Sequence, residues 1–408
     1  MSNSKYTVPR DNEGKPVGKF LAAALKPRGR IFTPFNIISF PIILLGITLI
    51  VIRFARGIGS ITNLTQEVPW GLWIGFDVIT GVAFAGGAYV ITFLVYILNV
   101  KKYHSIVRVT VLNGFLAYLF YAGALLLDLG RPWNVINPII GNSFGVSSVL
   151  FLVAWHFLLY MIAELIEFSP AIAEWIGAKR ARKILSGMTL AAVIFGITLS
   201  TLHQSGLGAL YLMAREKIHP LWYSEFIPVL FFVSSIFAGL SMVIFEGSIS
   251  QKVFFNQISP ENHRAHNGIL HGLSRICAFT LFVYFFLQVL VFVHGKHYDL
   301  LGTPMGYWYL TEMLGFVLLP MVLFFYSYRK RNIFMIKLSA ILTMVGVIVN
   351  RLNVTIIAYK WDAATQYVPS WMEVVVTLTV LFVEIWIFRW IVNRLPVLRE
   401  PPSWAKEN

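Results

Sequence analysis

A single cysteine, Cys277, stands in the 408 residues, so the chain can close no internal disulfide and has no thiolate set for zinc or an iron–sulfur cluster. Charge is almost as scarce: Asp, Glu, Lys and Arg make up 13% of the chain, against about 25% in a soluble domain. The glycine signatures of nucleotide chemistry are missing too. Neither a G-x-x-x-x-G-K phosphate loop followed by Ser or Thr nor a G-x-G-x-x-G turn occurs, so ATP-driven or nicotinamide chemistry would have to belong to a partner. What is abundant is apolar: 57% of residues are hydrophobic and the mean hydropathy is +0.70, which is the composition of a membrane protein.

Apolar runs long enough to cross a bilayer, about 20 residues, recur along the whole chain. They predict an all-α polytopic membrane protein with ten transmembrane helices, at about 33–53, 71–99, 107–128, 146–168, 186–204, 226–248, 269–294, 306–327, 334–357 and 371–394. A spanning barrel would show short alternating segments instead. The chain divides into a basic tail over 1–30, a transmembrane domain over 31–395 and a second tail over 396–408. The first run follows a long polar stretch with no small-residue cleavage pattern, so it is expected to stay as an anchor.

The net charge of +14 invites a nucleic-acid reading, but the basic residues gather on one side of the alternating helices, around 5–30, 101–108, 179–183, 329–331 and 394–406. The positive-inside rule then makes both termini cytoplasmic. The charge reflects topology and contact with anionic lipid, and no nucleic-acid partner is expected.

Ionisable residues inside the apolar runs carry the functional signal. Asp77, Glu246, Glu312, Arg351 and Glu384 are so placed. Left unpaired and additive, the five would cost about 15 kcal/mol, more than a typical folding stability, so each needs a partner, a cavity or water. A structural ion pair is the plain reading for any one of them; the set points to function. At about 1.5 Å per residue, helix direction puts Asp77, Asp128, His203, Glu312 and Arg351 in the outer third. Tyr118, His156 and Glu384 fall near the middle, with Arg108, Glu164, Glu167 and Glu246 toward the cytoplasm. An outer cluster, sparse middle stations and an inner cluster suit a proton route ending at an outer-leaflet site.

Two further stretches shape that site. GVAFAGGAYV places Gly86 and Gly87 inside a helix, where they serve either close helix packing or the approach of a flat ligand. LLLDLGRPWN sets Asp128 and Arg131 three residues apart, which reads as a helix stop with a local ion pair or as groups ordering a site.

These stretches, with VPWGLWIGFDVITG, NSFGVSSVLF, STLHQSGLGAL, KIHPLW, VIFEGS and VNRLNV, resemble the NrfD/PsrC family of integral membrane subunits, and within it the HybB type that serves periplasmic nickel–iron uptake hydrogenases. The motifs run in order from about residue 31 to 395. The resemblance implies a quinone-reactive subunit without redox metal of its own, in the cytoplasmic membrane of a bacterium or archaeon. Its partners would be a periplasmic ferredoxin-like iron–sulfur subunit and a catalytic pair, a nickel–iron hydrogenase in the favoured case or a multihaem cytochrome c. Its exchangeable substrate would be menaquinone or ubiquinone.

Residue by residue, the resemblance makes His203 and Asp77 the proton donors or hydrogen-bond partners at the quinone. Asp128 and Arg131 order the same site, and Gly86 and Gly87 give the ring room. Tyr118 and Glu246 become relay positions, with Arg108 and Glu167 at the inner mouth, while His219 serves the outer loop. Hydrogenase-type members carry a glutamate where Leu152 stands, and His156, four residues on, is the expected substitute. Haem b is not expected, because the histidines that could pair (His203 with His294, His104 with His271) lie near helix ends. A proton-coupled transporter or channel, a haem-bearing cytochrome anchor and a purely structural anchor are the competing classes.

Overall fold

The computed structural model describes residues 23–26, 28, 31–140, 148–399, 402 and 404. Most of the basic tail, the end of the second tail and the first part of NSFGVSSVLF therefore lie outside the described residues. Among those described, ten helices are long and apolar enough to cross a membrane: α1 Pro34–Arg56, α2 Trp73–Ile97, α3 Lys101–Asp128, α4 Val149–Ile176, α5 Lys179–Lys217, α6 Ile227–Val253, α7 Pro260–Gly295, α8 Pro304–Lys330, α9 Ile333–Ile357 and α10 Trp371–Val392. The expected spans are all present. The chain is a multi-pass integral membrane protein.

Helical starts follow from local chemistry. Thr33, Ser148, Ser259, Thr303 and Asn332 each accept a backbone N–H of the first turn on a side-chain oxygen, and Ser370 and Glu373 form a reciprocal capping box at α10. Gly177 ends α4 in the left-handed conformation (φ 85°, ψ 15°), which a residue with a Cβ adopts only at a cost. The chain can therefore turn straight into α5 at Lys179.

Packing sorts the spans into two closed rings. Helices α2, α3, α4 and α5 contact one another in sequence and close through α5 against α2; α6, α7, α8 and α9 do the same, closing through α9 against α6. The pair α1 and α10 flanks the first ring and meets it at α3. The rings join where α2 crosses α6, and also where α5 meets α6 and α9 meets α2. At the α2–α6 crossing a Cβ on Gly86 would lie 2.6 Å from the Ser235 carbonyl oxygen, and one on Gly239 only 2.0 Å from the Gly87 nitrogen. In a bilayer, where lipid tails offer helices no hydrophobic reason to associate, such backbone-to-backbone contact supplies much of the adhesion. Lipid-facing positions such as Ile37, Phe40, Leu44 and Val51 of α1 remain exposed.

Among the described residues, four stretches wind as π-helix: Trp73–Thr80 and Phe93–Ile97 in α2, Glu312–Leu318 in α8 and Asn353–Ile357 in α9. The wide turns carry Asp77, Glu312 and Asn353, all buried. Such turns gather at functional sites.

Candidate functional site

Helix α3 is the spine of a polar column. From Arg108 to Asp128 it rises about 30 Å, the thickness of the hydrocarbon core. Other helices bring ionisable groups to it at nearly every turn.

At one end, α1 sends Arg53 across to the last turn of α3, where its Nε donates to the Leu127 carbonyl at 2.8 Å and a terminal nitrogen donates to the Leu129 carbonyl. A cation is well placed on the bare carbonyls of a helix C-terminus, and this one also faces Asp128. Asp77 stands beside Asp128 and Glu384; its Oδ2 accepts from the Thr377 hydroxyl at 3.0 Å. One carboxyl oxygen of Asp77 and one of Asp128 have no hydrogen-bond partner. Below them, Tyr121 reaches Glu384 of α10. Gly81 makes room for the Tyr121 ring: a Cβ there would come within 2.4 Å of it.

One turn further along α3, the Tyr118 hydroxyl bonds to His203 Nε2. The other ring nitrogen, Nδ1, lies 2.9 Å from the Leu199 carbonyl. A carbonyl only accepts, so Nδ1 carries a hydrogen, which fixes the ring's orientation and leaves Nε2 as the atom that shares a hydrogen with Tyr118. Phe157 and Tyr160 flank the imidazole, each 5.4 Å away between ring centres. His203 is fully buried.

Helix α4 continues the column. His156, Tyr160, Glu164 and Glu167 recur at intervals of four, four and three, one helical face. The Tyr160 ring is 4.6 Å from that of Tyr118. Glu164 is 2% exposed, its carboxyl group lies within hydrogen-bonding reach of Tyr160, and a Cβ on Gly114 of α3 would lie 2.3 Å from one of its oxygens. Glycine at 114 thus lets a carboxyl group press against the α3 backbone. A fully buried carboxyl group is costly as a purely structural element, so its place beside Tyr160 and near Tyr118 argues for use. Glu246 of α6 joins from another side: it accepts from Ser250 and comes within hydrogen-bonding reach of Asn113.

Glu167 ends the series in the wall of a cavity of about 730 Å³, which Tyr96, Lys101, Lys102, Arg108 and Arg399 also line. Arg108 grips Glu174 through two hydrogen bonds of 2.7 and 2.9 Å.

The sequence expectations fare unevenly against this geometry. His203, expected in the outer third beside Asp77, sits at the depth of Tyr118, because α5 runs on to Lys217. The middle of the membrane is accordingly well populated. Arg131 is exposed and forms no ion pair with Asp128 among the described residues; α3 ends at Asp128 and the chain is extended at Leu129 (φ −67°, ψ 121°), so helical i, i+3 spacing no longer holds. Arg53 faces Asp128 instead. Gly86 and Gly87 lie in the α2–α6 crossing, filled by Ser235, Gly239 and Val243, and that backbone occupies the space a ring would need. Leu152 is 40% exposed, so leucine at that position leaves the column intact, while His156 stands near His203. His219 is 2% exposed: its N–H donates to the Ala358 carbonyl at 2.8 Å, and burial together with nearby His297 holds its pKa below the ordinary value. It pins a loop. Glu164, expected in the inner cluster, stands next to Glu167 on this face; Tyr160 is the member that the sequence reading lacks, although its spacing from His156 and Glu164 was the available signal.

A second polar cluster occupies the other ring. Glu312 accepts from Trp222, Asn350 and Asn353 at 2.7, 2.7 and 2.6 Å, and Asn350 passes the contact on to Arg351 at 2.8 Å. The Arg351 guanidinium lies 3.6 Å over the Phe231 ring and donates to Ser234 at 2.6 Å. The carboxylate and cation expected to need partners have found them without direct pairing.

Ten spans, two closed four-helix rings and a membrane-deep polar column define an integral membrane protein built around buried protonatable groups. Residues 60–363 match the family model described as Polysulphide reductase, NrfD, and the chain belongs to that family. It is 41% identical over 376 residues to a protein of Nitratidesulfovibrio vulgaris with no more specific name, covering 92% of this chain and 97% of that protein. It is 30% identical over 375 residues to the probable Ni/Fe-hydrogenase 2 b-type cytochrome subunit of Escherichia coli, covering 92% and 94% respectively. To the menaquinone reductase integral membrane subunit of Nitratidesulfovibrio vulgaris it is 26% identical over 352 residues, covering 78% and 80%.

Proposed function

We propose that the chain is the quinone-reactive membrane subunit of a respiratory oxidoreductase complex. It exchanges electrons between an iron–sulfur partner and the quinone pool, and it carries protons along the α3 column from the basic face. The observation that carries this reading is the succession of protonatable groups along α3 from Asp128 to Arg108, in a family whose relatives include subunits named for hydrogenase and menaquinone reductase. Reducing a quinone to a quinol takes two electrons and two protons. The electrons arrive from the partner, because this chain's one cysteine cannot hold a cluster.

In this reading the basic face is cytoplasmic, both tails lie there, and Glu167 takes protons from the inner cavity. Glu164, Tyr160, Tyr118 and His203 pass them on, with Glu246 as a side branch and Arg108 fixing the mouth through Glu174. Asp77 and Asp128, each with an unpartnered oxygen, stand closest to the quinone, which is menaquinone or ubiquinone. Arg131, exposed beyond α3, belongs to the surface facing the iron–sulfur subunit. That subunit would deliver electrons from a nickel–iron hydrogenase pair or a multihaem cytochrome c. The name of one relative raises haem b, which the residues here do not fit: both ring nitrogens of His203 are engaged, and His271 is bonded to the Tyr328 carbonyl at 2.8 Å.

Glu164→Gln tests the column. The amide keeps shape and volume but cannot carry a proton. With the native complex assembled, turnover of a quinone analogue should fall by about a hundredfold, the scale of one lost acid–base step, and its dependence on membrane potential should flatten. Wild-type turnover with wild-type voltage dependence would remove Glu164 from the route. No quinone turnover by the intact wild-type complex, or a haem Soret band belonging to this chain, would overturn the reading as a whole.

A further inference from the structure

The cavity at the basic face carries more positive charge than a proton mouth needs. Its wall holds Lys101, Lys102, Arg108, Arg182 and Arg399 against Glu167 and Glu261. The balance stays positive even after Glu174 is counted, which Arg108 and Arg182 share. Lys101, Lys102 and Arg399 have no carboxylate partner among the described residues. Arg399 is half-buried, and desolvation and neighbouring Arg28 both push its pKa down, so a counter-charge beside it would be welcome. The first turns of three helices add to the field. Lys101, Lys102, His104, Ser105, Val107 and Arg108 of α3, Arg182 of α5, and Glu261 and Asn262 of α7 line the space, and helix N-termini present positive dipole ends.

Apolar residues complete the wall, among them Val107, Val111, Phe168, Val397 and Leu398. A cavity of about 730 Å³ exceeds what a phosphate group needs and leaves room for a file of waters at about 30 Å³ each. Basic floor, helix N-termini and apolar shoulder together match a phosphate with hydrocarbon attached.

We propose that this cavity binds a phosphate-bearing anion, in the first place the headgroup of an anionic phospholipid from the leaflet on the basic face. The headgroup phosphate is held by Lys101, Lys102 and Arg399, and the glycerol and first acyl carbons lie against the apolar residues. Free phosphate offers the same charge without the hydrocarbon. The inference is independent of quinone chemistry: it concerns occupancy of the cavity, whatever passes through the column.

The test uses the purified full-length chain, delipidated in detergent and titrated with short-chain phosphatidylglycerol, short-chain phosphatidylcholine or inorganic phosphate, with binding read by native mass spectrometry and by the shift in thermal midpoint. Wild type should bind phosphatidylglycerol selectively, and Lys101→Gln combined with Lys102→Gln should weaken that binding about 30-fold. Lys330→Gln, an exposed lysine beyond the same face and outside the cavity, should leave it unchanged. Protection by inorganic phosphate equal to that by the lipid would support the phosphate site with a soluble source. Equal binding of the zwitterionic lipid, or equal weakening by Lys330→Gln, would overturn the proposal by reducing the effect to hydrophobic or diffuse surface attraction. The two lysines are exposed, so their replacement is not expected to disturb folding; if the double variant nonetheless fails to accumulate, competition between phosphate and phosphatidylglycerol on wild type decides the same question.

Discussion

His203→Ala is expected to lower quinone turnover by about a hundred- to ten-thousandfold, the range of a lost general acid–base group, in a complex that still assembles. The ring is fully buried and held by two hydrogen bonds, one to the Leu199 carbonyl on its own helix and one to Tyr118 on α3. Because Nδ1 is held on the Leu199 carbonyl, Nε2 is the atom at which the ring exchanges a proton with Tyr118. Tyr118→Phe keeps the ring packing against Phe157 and Tyr160 and removes only the hydroxyl, so it should reproduce most of the loss. Both variants should lower kcat and leave KM for the quinone nearly constant, since neither residue touches the quinone in the proposed arrangement. A raised KM with kcat intact would move the quinone down to His203 and take Asp77 and Asp128 out of contact with it.

The second large effect concerns assembly. Gly239→Val should remove most of the folded protein from the membrane. A Cβ at 239 would lie 2.0 Å from the Gly87 nitrogen and 2.3 Å from the Gly86 carbonyl carbon, and backbone atoms cannot swing aside as a flexible side chain can. The α2–α6 crossing would have to open, straining the neighbouring contacts of α5 with α6 and of α9 with α2. Overpacking of this kind costs about 3 kcal/mol or more. Gly268→Ala is the matched control: a Cβ there meets nothing within 4 Å, and alanine favours an exposed helix by about 1 kcal/mol. The thermal midpoint of the purified chain should fall sharply or be unmeasurable for the first and hold or rise for the second. Comparable stability of the two would mean that the α2–α6 seam is not needed to hold the rings together.

The ten spans were legible because bilayer thickness imposes one length on every apolar run, and the charge segregation that orients them is equally a matter of counting. The α4 face was legible in principle, since four polar residues at helical spacing lie within twelve positions. Placing Glu164 and Glu167 in an inner cluster and His156 in the middle, without the Tyr160 between them, left the middle of the membrane looking sparse. The remainder was not available from spacing. Asp77 finds Thr377, and Arg53 caps α3 from 74 residues upstream; these are products of how helices assemble, which no local period records. Depth failed for His203 for a related reason: an apolar window marks where a run stops being greasy, whereas α5 stays helical well past that point. The Asp128–Arg131 spacing misled because three residues make a helical neighbour only if the helix continues through them.

The π-wound start of α2 makes this helix sensitive to the number of its residues as well as to their identity. Each residue of an α-helix advances the azimuth by about 100°, and a π turn absorbs a residue without lengthening the rest of the helix in proportion. Deleting Ile79 would let the segment rewind as ordinary α-helix and swing Asp77 roughly a quarter-turn or more around the axis, away from Thr377 and Asp128, while Gly86 and Gly87 kept their grip on α6. The wide turns thus act as an index mark between two fixed requirements of one helix, the seam with α6 and the carboxyl that faces the column.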